Sequence, residues 1–279
     1  MSADVNFIGL YLLARGAVEP GQLQEAVRVQ RERNRRIGAL AVARGLLTEE
    51  QVEEVLAAQS REDCQFGDLA VRRGHIERGD LDDLLFSQNV TNMLLGEVLV
   101  ELGHVDPETM GALLDEFAAL EERRGDLLGR VLQGQAEYVV TRAMLRAVGT
   151  AFPRFLGISV KADPLGRVPE KAGPGDFRCS SDLDVEGMGC FRFTFLLRSD
   201  ILSGMAGDGP ADGLSLVNTV MRYARGRLAR RGLSATCAGA RPGRVDWPVD
   251  GAAMRLVTPA GAMALFWVAP WQAEGAGTE

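Results

Sequence analysis

The sequence predicts a multidomain chain, four all-α helical hairpins of 29 residues each followed by an α+β domain, and three observations carry that expectation. Glycine pairs seven residues apart recur at a constant interval of 29: Gly9/Gly16, Gly38/Gly45, Gly67/Gly74 and Gly96/Gly103. One apolar skeleton follows every pair: Val18, Leu47, Ile76 and Val105, then Leu23, Val52, Leu81 and Met110, then Val27, Leu56, Leu85 and Leu114. Past residue 152 the periodicity changes to alternating, strand-like runs around one long helix. A fixed repeat of this length implies stacked modules, since one short helix pair cannot bury its own apolar face.

The repeat domain spans 5–118, with units at 7–30, 36–59, 65–88 and 94–117. In each unit the second glycine ends a first short helix, because glycine enters the left-handed cap conformation cheaply. A second helix then starts on a cap. In the second unit this is the capping box Thr48-Glu-Glu-Gln51, in the fourth it is Asp106 with Pro107 just inside, and in the first Pro20 holds that inner position. The third unit has the weakest start, Glu77-Arg78-Gly79. Val52 and Leu56 are expected inward, with Gln59 one turn later on a neighbouring face. Residues 119–134 read as a helical connector.

The α+β domain spans 135–271. A helix is expected over 136–148 and strands over 158–161, 177–183 and 190–197, the last with Phe191, Phe193, Phe195 and Leu197 on one face. Residues 166–176 form a Gly- and Pro-rich loop. A long helix over 212–231 buries Leu214, Val217, Val220, Met221, Ala224 and Leu228. Two strands, 254–258 and 262–268, flank the turn at Pro259, and the tail beyond Trp271 is expected to fray.

Composition narrows the function classes. The net charge of −7 argues against wholesale DNA, RNA or anionic-membrane binding. The four cysteines, Cys64, Cys179, Cys190 and Cys237, form no CxxC and read as structural thiols in a reducing compartment. There is no basic-then-apolar leader and no uncharged apolar run of 18 residues, so a cytoplasmic protein without membrane insertion is expected. Only two histidines occur, His75 and His104, and no Walker loop, nucleophile triad or metal spacing is visible; no metal and no cofactor are expected. The two histidines share one repeat position after a glycine and read as turn residues rather than as a site.

Residues 5–117 resemble the MshEN-type N-terminal domain of type II secretion and type IV pilus assembly ATPases. That pattern runs Arg-Leu-Gly, six residues, Gly, spaced leucines and a terminal Gln. The second unit matches best, with Arg36-Ile37-Gly38, Gly45, Val52, Leu56 and Gln59. The third has Gly67, Gly74, Leu81, Leu85 and Gln88, with Gln65 in the Arg position. The first has Phe7 there and keeps Gly9, Gly16 and Gln30, while the fourth has Leu94 and Phe117 and loses both polar positions. The resemblance implies cyclic di-GMP as ligand, held by Arg36, Gly38, Gly45, Gln59, Gly67, Gly74 and Gln88. An Arg fork can read a guanine edge, close-approaching glycine backbone can cradle phosphate, and a Gln amide can meet either a base edge or a backbone group. The other reading is a nucleotide-independent scaffold, with the glycines as caps and Arg36 one exposed charge among several.

The second half resembles the CheX-like (CheC/CheX/FliY) chemotaxis phosphatases, in the order helix, strands, long helix, strands and in the stretch 212–218 ending at Asn218. In that family a Glu-x-x-Asn on the long helix acts on the aspartyl-phosphate of a response-regulator receiver. Here Asn218 is kept and Ser215 replaces the Glu, and Ser cannot supply the carboxylate. Ser215 and Asn218 are therefore vestigial catalytic candidates, and Asn218 can equally bond neighbouring backbone. The same helix carries Arg222, Arg225, Arg227, Arg230 and Arg231, a local basic face that either docks an acidic protein partner or is simply solvated. The expected function is a non-enzymatic bacterial signalling or adaptor protein that couples cyclic di-GMP sensing to protein contact. The rivals are a scaffold of a motility or secretion system and a phosphatase of a phosphorylated receiver.

Overall fold

The computed structural model describes residues 7–59, 61–133, 138–164, 176–197, 213–242, 252–259 and 261–268. The chain divides into two compact units, Val5–Ala119 and Met1–Asp4 with Leu120–Glu279. The expected loop over 166–176, the first residue of the long helix and the tail beyond Trp271 lie wholly or mostly outside the described residues.

The first unit is built from α1 (Phe7–Ala14), α2 (Pro20–Arg33), α3 (Ile37–Ala43), α4 (Glu49–Gln59), α5 (Phe66–Arg72), α6 (Arg78–Thr91), α7 (Leu95–Glu101) and the start of α8 (Pro107–Gln133). Each odd-numbered helix ends on a glycine with positive φ: +67° at Gly16, +69° at Gly45, +73° at Gly74 and +72° at Gly103. The next residue closes the cap by donating its N–H back five residues, as from Leu46 to Ala41 O (2.9 Å) and from His75 to Ala70 O (3.0 Å). The even-numbered helices start on Glu19, Thr48, Glu77 and Asp106. Glu19 N–H donates to Gln22 Oε1 (2.8 Å), and Thr48 and Gln51 bond reciprocally at 2.9 and 3.2 Å. Thr109 N–H donates to Asp106 Oδ1 at 2.9 Å. At the third start, Glu77 N–H reaches Asp80 Oδ2 at 3.4 Å, the longest of these caps.

A sequential stack of hairpins is not what forms. Instead α2 packs on α7, and α4 on α5 with α3 on α6. The first hairpin thus pairs with the fourth around Leu12, Leu23, Val98, Leu99 and Met110, and the second with the third around Ala41, Val55, Leu69, Leu81 and Leu84. The expected inward position holds in the first unit, where Val27 is buried beside Ala26, but is off by one residue in the next two: Val55 and Leu84 are buried, whereas Leu56 and Leu85 are 51% and 39% exposed. The 3.6-residue turn puts both positions near the apolar sector, and the helix crossing selects the earlier one.

In the second unit the connector is no mere spacer: α8 continues unbroken to Gln133, and Leu128 and Leu132 join the α+β core. Helix α9 (Tyr138–Leu156) outruns the expected 136–148 and carries Pro153 in its last turns. Helix α10 (Gly213–Ala229) packs on α9 and on the sheet. The strands are β1 (Lys161–Asp163), β2 (Phe177–Val185), β3 (Gly189–Leu197), β4 (Ala235–Cys237), β5 (Arg241–Pro242), β6 (Ala252–Thr258) and β7 (Gly261–Val268). They form one antiparallel sheet in the order β1-β6-β7-β3-β2-β4, with β5 also on β2. Phe191, Phe193, Phe195 and Leu197 do share one buried face. The four cysteines are free, and burial pushes the Cys179 thiol up to about 12, which keeps it an inert core thiol. Among the described residues, no helix is long and apolar enough to cross a membrane.

Three glycines separate the causes at work in the repeats. A Cβ on Gly67 would enter the shell of buried Leu81, one on Gly45 would meet open space at positive φ, and one on Gly79 would meet open space within α6. Gly67→Ala should therefore destabilise by about 1–3 kcal/mol through overpacking and Gly45→Ala by about 1–2 kcal/mol through backbone strain. Gly79→Ala should be neutral or stabilising by up to about 1 kcal/mol. Urea unfolding of the three variants checks the order.

Candidate functional site

Of the sequence-predicted ligand residues, Gly67 and Gln88 line one recess at the junction of the second and third hairpins and Gly38 packs against Phe66 there, whereas Gly45 and Gly74 sit in the caps that end α3 and α5. Gln59 Nε2 donates to Cys64 O at 2.9 Å, in the linker entering the third hairpin. Gln88 Nε2 donates to Arg35 O at 2.9 Å, in the linker entering the second. The two glutamines form a reciprocal latch, so Arg36 lies beside Gln88 across the junction and Gln59 beside Gln65. The first pair of hairpins repeats half of this, with Gln30 Nε2 donating to Met93 O at 3.0 Å. There the missing fourth glutamine is replaced by Phe117, whose ring meets Tyr11 at 5.3 Å. Gln59 is 8% exposed, so its amide meets backbone, the second of the two readings.

Beside the latch lies a recess of about 290 Å3 lined by Ile37, Gln65, Phe66, Gly67, Leu85 and Gln88. Arg78 and Asp68 also face it, paired at 2.8 Å. Gly67 admits Leu81 to its own backbone, and Gly38 does the same for Val52 and Phe66, at 3.2 and 3.3 Å from a would-be Cβ. Both first-position glycines thus serve close helix packing, and Gly45 and Gly74 serve the caps. Arg36 is the exposed residue before α3, one position from the lining residue Ile37. His75 and His104 are turn residues that also reach the paired hairpin: His104 Nε2 lies 3.0 Å from Glu25 Oε2 and His75 Nε2 lies 3.3 Å from Glu54 Oε2.

On the α+β unit, Asn218 Oδ1 accepts the Ala240 N–H at 2.7 Å, tying α10 to the segment between β4 and β5. Ser215 is exposed one turn earlier. Arg225 is exposed and Arg222 half-buried on α10. Arg227, Arg230 and Arg231 diverge from them toward α9, where Arg142 and Arg146 face the same space. Those two arginines were missed in the sequence, although their spacing of one helical turn inside a strongly amphipathic segment was the available signal.

No protein-family model and no curated protein matches the chain. Among solved structures, it is similar to the chemotaxis protein CheX from Desulfovibrio desulfuricans, at 14% identity over 46% of this chain and 97% of that one, with a TM-score of 0.37. It is also similar to CheX from Vibrio vulnificus, at 11% identity over 46% and 97% with a TM-score of 0.34. Thermotoga maritima FliY shares 12% identity over 45% and 82%, with a TM-score of 0.29.

The latch gives a direct test. Gln59→Ala removes the bond to the Cys64 carbonyl and should cost about 0.5–1.5 kcal/mol, whereas Leu56→Ser, at an exposed position, should stay within about 0.5 kcal/mol. Guanidinium unfolding followed by circular dichroism measures both.

Proposed function

We propose that this chain is a non-enzymatic signalling adaptor, in which the helical hairpins take cyclic di-GMP at the junction of the second and third units and the α+β unit docks a protein partner. The observation that carries the ligand half is the recess beside the glutamine latch. Phe66 and Leu85 offer apolar surface at its wall, with Leu85 left partly bare; Gln65 and the Asp68-paired Arg78 line it, and the exposed Arg36 immediately precedes the lining Ile37. A planar guanine covers the apolar wall, a fork of N–H groups meets its paired acceptors, and guanidinium groups meet the phosphates. The latch itself is spent on backbone, so recognition falls to Arg36 and Gln65 rather than to Gln59.

The non-enzymatic half rests on α10. A phosphatase of the CheX type needs a carboxylate where Ser215 stands, and the Asn218 carbonyl oxygen is already committed to Ala240 N–H. Coupling the two halves requires two states with different affinity for the ligand, which a junction held by two exchangeable amide bonds can supply.

Titration calorimetry of the full chain with cyclic di-GMP tests the reading. Micromolar or tighter binding is expected, weakened at least tenfold (about 1.4 kcal/mol) by Arg36→Ala. Absence of binding, or binding indifferent to that substitution, leaves the scaffold reading standing. A phosphorylated receiver whose decay the chain accelerates, and which Asn218→Ala restores to its own rate, overturns the non-enzymatic half.

A further inference from the structure

Five arginines converge on the α+β unit from two helices. Arg142 and Arg146 come from α9, and Arg227, Arg230 and Arg231 from the end of α10 and just beyond it. They surround a mouth of about 270 Å3, and Arg142, Arg146 and Arg227 also line a larger adjoining cavity of about 640 Å3. No carboxylate lines either space among the described residues. The concentration of like charge is felt locally: the Arg142 guanidinium beside it, then desolvation, then Arg231 and Arg227, hold Arg146 below the usual arginine range. Arg142 Nη1 donates to Tyr138 OH at 3.0 Å and Arg227 Nη2 to Thr150 Oγ1 at 2.7 Å, which fixes two of the five in place.

The larger cavity has an apolar wall formed by Leu128, Leu132, Leu145, Val160 and Leu256, with Tyr138 also lining it. Three further lining residues are glycines inside helices, Gly125 and Gly129 on α8 and Gly149 on α9. Neither a positive φ nor a close neighbour requires them, since a Cβ at each would meet open space. Helical glycine costs stability relative to alanine, and here its consequence is room along the cavity wall.

We propose that this cleft binds a nucleoside di- or triphosphate, the base against Tyr138 and the apolar wall and the phosphate chain among the five arginines. The volume lies in the range of small-molecule sites. The ligand needs both an apolar, planar body and several negative charges. Terminal phosphates suit bidentate guanidinium contacts, and a cyclic dinucleotide, with two singly charged internal phosphodiesters and no terminal group, matches five cations poorly. The apolar wall also separates this ligand from a docked acidic protein, which would engage the arginines alone. The site lies wholly within Leu120–Glu279 and stands apart from the cyclic di-GMP reading of the hairpins.

The test is equilibrium binding of ATP, GTP and inorganic pyrophosphate to the full chain, alongside Arg142→Ala/Arg146→Ala and Gly149→Leu variants whose circular dichroism matches the parent. At least one nucleoside triphosphate is expected to bind at micromolar Kd and at least tenfold more tightly than pyrophosphate. The double arginine variant should weaken it at least tenfold, Gly149→Leu should do the same by filling the cavity, and Arg36→Ala should leave it unchanged. No nucleotide binding, pyrophosphate binding equal to ATP and GTP, or binding untouched by both cleft variants overturns the proposal. Loss of cyclic di-GMP binding on Arg36→Ala with triphosphate binding retained separates the fate of this site from that of the hairpin junction.

Discussion

Three backbone carbonyls, those of Arg35, Cys64 and Met93, each accept an amide hydrogen from a glutamine at the same place in the repeat, and the arrangement of the hairpins depends on it. Each carbonyl sits just before the first helix of a hairpin, where backbone acceptors have no intrahelical partner. Each glutamine comes from the hairpin that packs against it. These bonds cross the same junctions as the two apolar clusters, between the second and third units and between the first and fourth. A second bond set holds the two linkers to each other: Asn34 Nδ2 donates to Met93 O at 2.9 Å while Met93 N–H donates to Asn34 Oδ1 at 2.8 Å. The chain leaves the first pair and returns to it through that clasp. The glutamine bonds are part-buried or exposed, so each adds about 0.5–1.5 kcal/mol to a pairing that apolar burial also supports.

The same principle shapes the α+β unit. The sheet is registered by β2 against β3 over its full length, reinforced by Arg192, whose guanidinium makes two bonds to Asp182 at 2.6 and 2.7 Å and is held above its usual range by them. Asn218 binds backbone for the same reason the glutamines do. Its Oδ1 accepts the Ala240 N–H and so joins α10 to the segment between β4 and β5. The two proposed sites accordingly draw on other side chains: Arg36, Gln65 and the partly exposed Leu85 in one unit, the arginines of α9 and α10 in the other.

Local chemistry was legible in the sequence and long-range pairing was not. Gly16, Gly45, Gly74 and Gly103 announce left-handed caps because few other residues tolerate that φ, and Thr48 with Gln51 announces a helix start. The phenylalanine stripe of β3 follows from a period of two. The pairing of hairpins rests on contacts between residues far apart in the chain, such as Gln30 with Met93 and Gln88 with Arg35, and no period reports that. For the same reason Leu56 and Leu85 looked internal, since one residue of rotation separates them from Val55 and Leu84. Strands β4 and β5 are too short to show alternation, and the arginine cleft joins residues 142–146 to 227–231, a proximity created only when α9 and α10 pack together.

The central claim is that cyclic di-GMP seats at the second and third hairpins and tightens their junction. Hydrogen–deuterium exchange of the full chain, with and without cyclic di-GMP, addresses it most directly. Slowed exchange concentrated in residues 35–41 and 64–70, with 12–18 and 99–105 unchanged, is the predicted result. Protection absent from both segments, or appearing instead on the first and fourth hairpins, would contradict it.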